Sequence, residues 1–255
     1  MELQTRTRFS STLLKPSKMR FVALLSLLLV YGSGQCLCQF NDAPGCSTGH
    51  IRSCGMDFIP YYNTTHLAED IEGYAKQCNL YISQVVCAEN FTLRCLQGFS
   101  RAVALLGLRA ALADYEESCN HTSANYKVYI NNIACINKAG PRLHRCINDA
   151  FASFETAVEK APSKQKINYA CCYYYDLLDC SAEALKSECG RQDVIKFFTQ
   201  IMDHVFGDLL QLACGPYRHG SQACKTIRPL QKIDSSALGA INIVEPLADI
   251  VRSLG

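Results

Sequence analysis

Apolar residues recur at helical spacing along most of the chain. Leu67, Ile71, Tyr74, Cys78 and Tyr81 make one such stripe, entered from the polar Asn63-Thr64-Thr65. Phe99, Val103, Leu106 and Leu112 continue the period within an apolar stretch over 96–113. Pro141 follows an Ala139-Gly140 pair that reads as a turn, and proline suits the first position of a helix, where no backbone donor is needed. The pattern therefore predicts a helix opening at Pro141, carrying Leu143, Cys146, Ile147, Ala150, Phe151, Phe154 and Val158, and ending at Ala161-Pro162-Ser163. Another is expected over 164–190, closed by Gly190 in a left-handed cap. Val194, Phe198, Ile201, Val205 and Leu209 then build a strong apolar face that Gly215-Pro216 stops. No run alternates as a strand would, so the expected fold class is all-α.

The cysteines follow the same rhythm. The 255 residues hold 16 of them. From Cys46 the steps are eight to Cys54, twenty-four to Cys78, nine to Cys87, eight to Cys95 and twenty-four to Cys119. From Cys135 they are eleven to Cys146, twenty-five to Cys171, nine to Cys180, nine to Cys189 and twenty-five to Cys214. This predicts a disulfide-stapled protein built from two tandem six-cysteine helical repeats, the first over 35–122 and the second over 123–224. Leu80-Tyr81 after Cys78 parallels Tyr173-Tyr174 after Cys171, and the stretch 96–113 parallels 194–212. Cys172 and Cys224 have no counterpart in the first repeat and are expected to pair with each other. Spacing leaves the remaining connectivity open. Zinc sites want tight cysteine pairs among histidines; only Cys36–Cys38 and Cys171–Cys172 are close, and neither has that setting. Disulfides are therefore expected, and no cofactor. Each bridge adds about 2–4 kcal/mol to a unit whose own core is modest.

Such cysteine use belongs to an oxidising compartment. Residues 1–18 are basic, Met19-Arg20 opens an apolar run over 21–30, and Gly32-Ser33-Gly34 supplies small residues. This reads as a signal peptide over 1–34, with Met19 as an alternative start and cleavage after Gly34 or Cys38. The run falls short of the roughly 20 apolar residues a membrane span needs, so no integral membrane segment is expected. Sequons at Asn63, Asn90 and Asn120 fit a secreted, extracellular glycoprotein. All three lie in the first repeat, which leaves the second freer for contacts. Residues 1–34 hold five Lys and Arg against one acid, so the remainder carries a formal charge near −2 and lacks the basic footprint of a nucleic-acid binder. The absence of tryptophan weakens any case for a sugar-stacking platform.

Catalytic chemistry is thinly represented. Cys171-Cys172-Tyr173-Tyr174-Tyr175-Asp176 shares its register with the catalytic helix of secreted phospholipases A2. Tyr175 stands where that helix has its histidine base, and a phenol cannot serve near neutral pH. Cys180 comes two residues late and the glycine-rich calcium loop is missing, so this reading fails. No nucleophile elbow, zinc-protease or phosphate-loop motif occurs. His50, His66, His121, His144, His204 and His219 are scattered; His204, beside Met202, Val205 and Phe206, reads as a structural residue rather than a base. Arg142-Leu143-His144-Arg145 resembles a minimal processing site but falls inside an expected helix. The tyrosines Tyr169, Tyr173, Tyr174 and Tyr175 read first as core packing and second as the lip of a pocket between helices, with Tyr174 and Leu177 on the face of Cys171.

A cysteine-free tail occupies 225–255. Ile241, Val244, Leu247, Ile250, Val251 and Leu254 form a helical stripe interrupted by Pro246. It reads as a terminal helix docked on its own domain, or alternatively as a segment for a partner or membrane surface. The signal, the double cysteine with Cys180, Cys189 and Cys214, and the long helix ending at Cys214-Gly215 together resemble the cysteine-rich secreted helical proteins of arthropods, of the haemolymph-glycoprotein kind. The resemblance covers 46–224 and implies location and fold rather than an activity. The function expected is non-enzymatic: protein interaction or a structural haemolymph-type role, with an unknown extracellular protein as partner. The alternative is a carrier holding a small apolar ligand between helices.

Overall fold

Capping side chains decide where the first helices open. Ser47 accepts from the His50 amide and starts α1, Thr48–Arg52. Asp70 accepts from the Gly73 amide at 2.8 Å and starts α2, Ile71–Cys95. The helical entry is thus later than the Asn63-Thr64-Thr65 segment suggested: Leu67 is buried, but in the approach to the helix. Leu96 and Gln97 turn the chain into α3, Gly98–Ser118, which packs back on α2. Ser123 caps α4, Ala124–Lys160, and a 3-10 turn over Ser163–Gln165 leads into α5, Lys166–Glu188, the partner α4 packs against most extensively. Gly190, at φ +69°, closes α5 in the left-handed cap expected of it. Next come α6, Gln192–Ala213, the short α7, Gln222–Thr226, and α8, Val244–Arg252.

The computed structural model describes residues 43–233 and 242–253, and of 208–212 the backbone alone. The expected signal with its cleavage points, Cys36 and Cys38, and Ile241 and Leu254 of the tail stripe lie outside the described residues. So does the side chain of Leu209. Among the described residues there are eight α-helices and no strand, and no helix is long and apolar enough to cross a membrane. Phe40–Gly255 form one compact unit.

Pro141 does not start a helix; it lies inside α4, the longest helix described. The Ala139-Gly140-Pro141 segment is a packing site rather than a turn. A Cβ on Gly140 would sit 2.0 Å from the Thr65 carbonyl oxygen, so glycine is needed for the chain at 61–67 to lie against the helix. One turn earlier, Asn137 binds that chain: its Oδ1 accepts from the Tyr61 hydroxyl and the Leu67 amide, and its Nδ2 donates to the Leu67 carbonyl, each at 2.9 Å. Buried contact along the whole helix outweighs the local signal for a break.

Among the described residues, seven disulfides lock these elements. Cys46–Cys95 and Cys54–Cys87 hold the α1 region to α2, and Cys78–Cys119 ties α2 to the end of α3. Cys135–Cys189 and Cys146–Cys180 join α4 to α5, and Cys171–Cys214 joins α5 to the end of α6. Cys172 pairs with Cys224 on α7. None of these seven links 46–119 with 135–224. Those segments meet through an apolar core holding Tyr74, Cys78, Tyr129, Ile133, Leu143 and Leu185.

Candidate ligand cavity

The core is not filled. A cavity of about 570 Å³ runs between α2, α3, α4, α5, α6 and α8, within the range that small-molecule sites occupy. Its wall is aliphatic and aromatic, including Val103, Ile133, Phe154, Leu177, Phe198 and Ile250. The apolar face of α6 shows why the space is there. Of the described side chains of that face only Val194 is fully packed, while Phe198, Ile201, Met202, Val205 and Phe206 line the cavity and keep partial exposure. Phe99 and Leu106 of α3 also line it and are 61% and 46% exposed, which places them at its rim.

Six tyrosines stand in the wall: Tyr61, Tyr74, Tyr81, Tyr115, Tyr129 and Tyr174. Five of their hydroxyls already donate to the protein. Tyr61 donates to Asn137, Tyr74 to the Ser118 carbonyl, Tyr115 to Phe58, Tyr129 to Ala68 and Tyr174 to Met202. The Tyr81 hydroxyl accepts from Gln77 Nε2 at 2.6 Å. Burial raises the pKa of all six far above the usual phenol value, so each is a fixed neutral group. Tyr74 and Tyr129 stack with centroids 3.9 Å apart. Tyr61 is held at φ +64°, a conformation bulky residues rarely adopt. Its carbonyl accepts from His144 Nδ1 at 2.8 Å, and Asn148 donates to the Tyr62 carbonyl, so α4 holds the strained segment against the cavity.

Asp114, near the end of α3, is the one charged residue in the wall among the described side chains. Its Oδ1 lies 2.7 Å from His204 Nδ1 on α6. The Asp114 side chain is 13% exposed, and its Oδ2 is buried with no hydrogen-bond partner. Burial raises the carboxyl's pKa, and the hydrogen bond and charge of His204 oppose that rise.

The sequence-predicted tyrosine cluster is divided. Tyr174 and Leu177 line the cavity; Tyr169 packs with Ala157 and Ala161; Tyr173 touches both that group and the core around Tyr174; Tyr175 meets the Tyr174 ring edge-on and lies against His219. The wall tyrosines of the N-terminal half were not singled out, although Tyr74 and Tyr81 stand on a helical stripe with Cys78. Asp114 has no distinguishing signal in the sequence: it ends the apolar stretch 96–113, but Glu116 and Glu117 follow close behind it. Arg142-Leu143-His144-Arg145 lies within α4. Asn63, Asn90 and Asn120 are exposed. The exposed large hydrophobics Ile71, Leu80, Val86, Leu93, Phe99 and Leu106 all belong to α2 and α3, so the sequon-bearing half also carries bare apolar surface. Among the described residues, no group of three His, Cys, Asp or Glu side chains is placed to hold a metal. No protein-family model, no curated protein and no solved structure matches the chain.

Proposed function

We propose that this protein is an extracellular carrier that holds a small apolar molecule between its helices. The apolar cavity of about 570 Å³ carries the reading. A folded core normally packs to the density of an organic crystal, and an apolar void forfeits the contacts its lining would make. A bound molecule restores them. Disulfides at Cys78 and Cys171, which themselves line the cavity, brace its wall within each half of the chain.

The carrier rests on a duplicated unit. In each set of six cysteines, the first pairs with the fifth, the second with the fourth and the third with the sixth. The third cysteine of each set, Cys78 or Cys171, lines the cavity, as does the tyrosine three residues on, Tyr81 or Tyr174. Two copies of one helical unit facing each other across a shared pocket account for both correspondences. Secretion and glycosylation, and membership of the haemolymph-glycoprotein kind, complete the reading.

The test is native mass spectrometry of the protein secreted from animal cells, before and after denaturation and solvent extraction. Extra mass lost on denaturation and recovered as an apolar small molecule supports the carrier. A mass explained by chain, bridges and glycans, together with a stripped protein that takes up no apolar probe, rejects it. The second reading, a protein-interaction glycoprotein, is favoured by the bare apolar residues of α2 and α3.

A further inference from the structure

The chain from 225 onward holds no cysteine, so α8 is a wall element that no disulfide ties down. With Ile243 just ahead of it, this helix supplies Leu247, Ile250 and Val251 to the cavity wall. Polar contacts fix its leading end. Arg52 of α1 grips Glu245 through three hydrogen bonds, its Nε at 2.9 and 3.2 Å and its Nη2 at 2.9 Å. Asn242, before α8, donates to the Ile51 and Gly55 carbonyls. Asp249, one turn past Glu245, accepts from Arg252 of its own helix.

The side chains of Glu245 and Asp249 are only 8% and 12% exposed, and they face a third carboxyl, Glu155 on α4. Each of the first two has an arginine. Among the described residues, the Glu155 carboxyl has neither an ion pair nor a hydrogen bond. It is half-buried, so water and protons still reach it. The other groups around it are Glu159 on its own helix, Arg52 from α1, and Tyr62 from the chain between α1 and α2.

We propose that α8 is a pH-governed strap over the cavity, closed while Glu155 holds a proton and lifted once Glu155 ionises. Ionisation leaves three carboxylates crowded in one partly dry interface, and lifting α8 separates them. The sense of the response follows from where the proton is held more tightly. Burial first, then the neighbouring carboxylates, raise the Glu155 pKa from 4.5 to about 7, while Arg52 opposes the rise. With α8 lifted, the carboxyl meets water and returns toward its ordinary value. The closed state's advantage is therefore complete below 4.5 and is lost as pH rises through about 7. Such local opening of one helix leaves the disulfide-braced remainder folded. The movement of α8 stands apart from any ligand; its use to release an apolar cargo as pH rises rests on the carrier reading.

The test compares the full secreted protein with Glu155→Gln, whose amide stands in for the protonated carboxyl. Hydrogen exchange of residues 244–252 is followed by mass spectrometry in both proteins at each pH, so that the intrinsic pH dependence of exchange cancels. The two are expected to exchange α8 alike at about pH 5, and the native protein at least about tenfold faster than the variant at about pH 8, as linkage to a carboxyl with so raised a pKa requires. Release of the fluorescent probe N-phenylnaphthylamine from the native protein is expected to quicken by a similar factor over the same window, and to stay level in the variant. Should the variant not fold, residues 166–188 of α5 in the native protein serve as the exchange reference. An α8 that exchanges with the same pH dependence in both proteins, or in step with α5, overturns the strap. Lifting of α8 with unchanged probe release overturns its part in release. Lifting of α8 in a protein that binds no probe overturns the carrier and leaves the strap standing.

Discussion

Glu155 shows how a single residue's chemistry depends on neighbours remote in sequence. It is half-buried on α4, facing Glu245 and Asp249 of α8 with Glu159 one turn along its own helix. Burial, then those three carboxylates, push its pKa up to about 7, against the opposing charge of Arg52. Arg52 binds Glu245 through both carboxylate oxygens at 2.9 and 3.2 Å from its Nε. A carboxyl whose folded pKa is raised stabilises the fold fully below its ordinary value of 4.5, and that stability is lost as pH rises through about 7. The thermal midpoint of the native protein should therefore fall across that window more than that of Glu155→Gln, the two curves running parallel above it. Identical slopes in both proteins would dismiss the assignment. Neither Glu155 nor Asp114 could be found from the sequence, because a carboxyl's environment is made by helices far away along the chain. His204 stands beside apolar residues of its own helix, but its partner lies ninety residues away on α3.

At the scale of elements, α8 carries the clearest consequence. Val244, Ala248, Ile250 and Val251 are almost fully buried, and Ile243, Leu247, Ile250 and Val251 line the cavity. The described part of the tail stripe, Val244, Leu247, Ile250 and Val251, therefore faces this protein's own helices. Pro246 fits because it stands in the first turn of α8, where amides have no partner within the helix. None of the seven bridges reaches α8, so it is the wall element that a truncation removes without touching the disulfide framework. Deleting residues 235–255 should weaken binding of an apolar probe at least about tenfold, since each large apolar side chain lost removes about 1.5–3 kcal/mol of burial. Unchanged probe affinity in the truncated protein would show that α8 is not a working wall. Most helix ends were legible: Gly190, Gly215-Pro216 and Ala161-Pro162 each stop a helix by backbone chemistry that acts within a few residues. Pro141 signals a helix start that the fold overrides for the converse reason, because the chain at 61–67 that makes Gly140 necessary comes from far upstream.

At the scale of the molecule, the disulfides divide into bracing for the cavity and bracing for the periphery. Cys172–Cys224 ties down α7, which contributes nothing to the wall, whereas Cys171–Cys214 anchors the end of α6. Removing either pair as a double serine variant should cost about 2–4 kcal/mol in stability, read by chemical denaturation. Probe binding should survive loss of Cys172–Cys224 and be weakened by loss of Cys171–Cys214; equal effects on binding would remove the distinction. The amino-acid sequence alone determined the all-α class, the helix stops and the rhythm of the cysteines, because periodicity, caps and spacing are properties of neighbours. It also held the apolar face of α6, though not what that face meets. Only the tertiary structure decided that this face borders a void rather than a packed core, that Asp114 stands at its edge, and that the tail closes one side. A cavity is the space left when several helices fix one another's distance, and no local stretch of sequence records that distance.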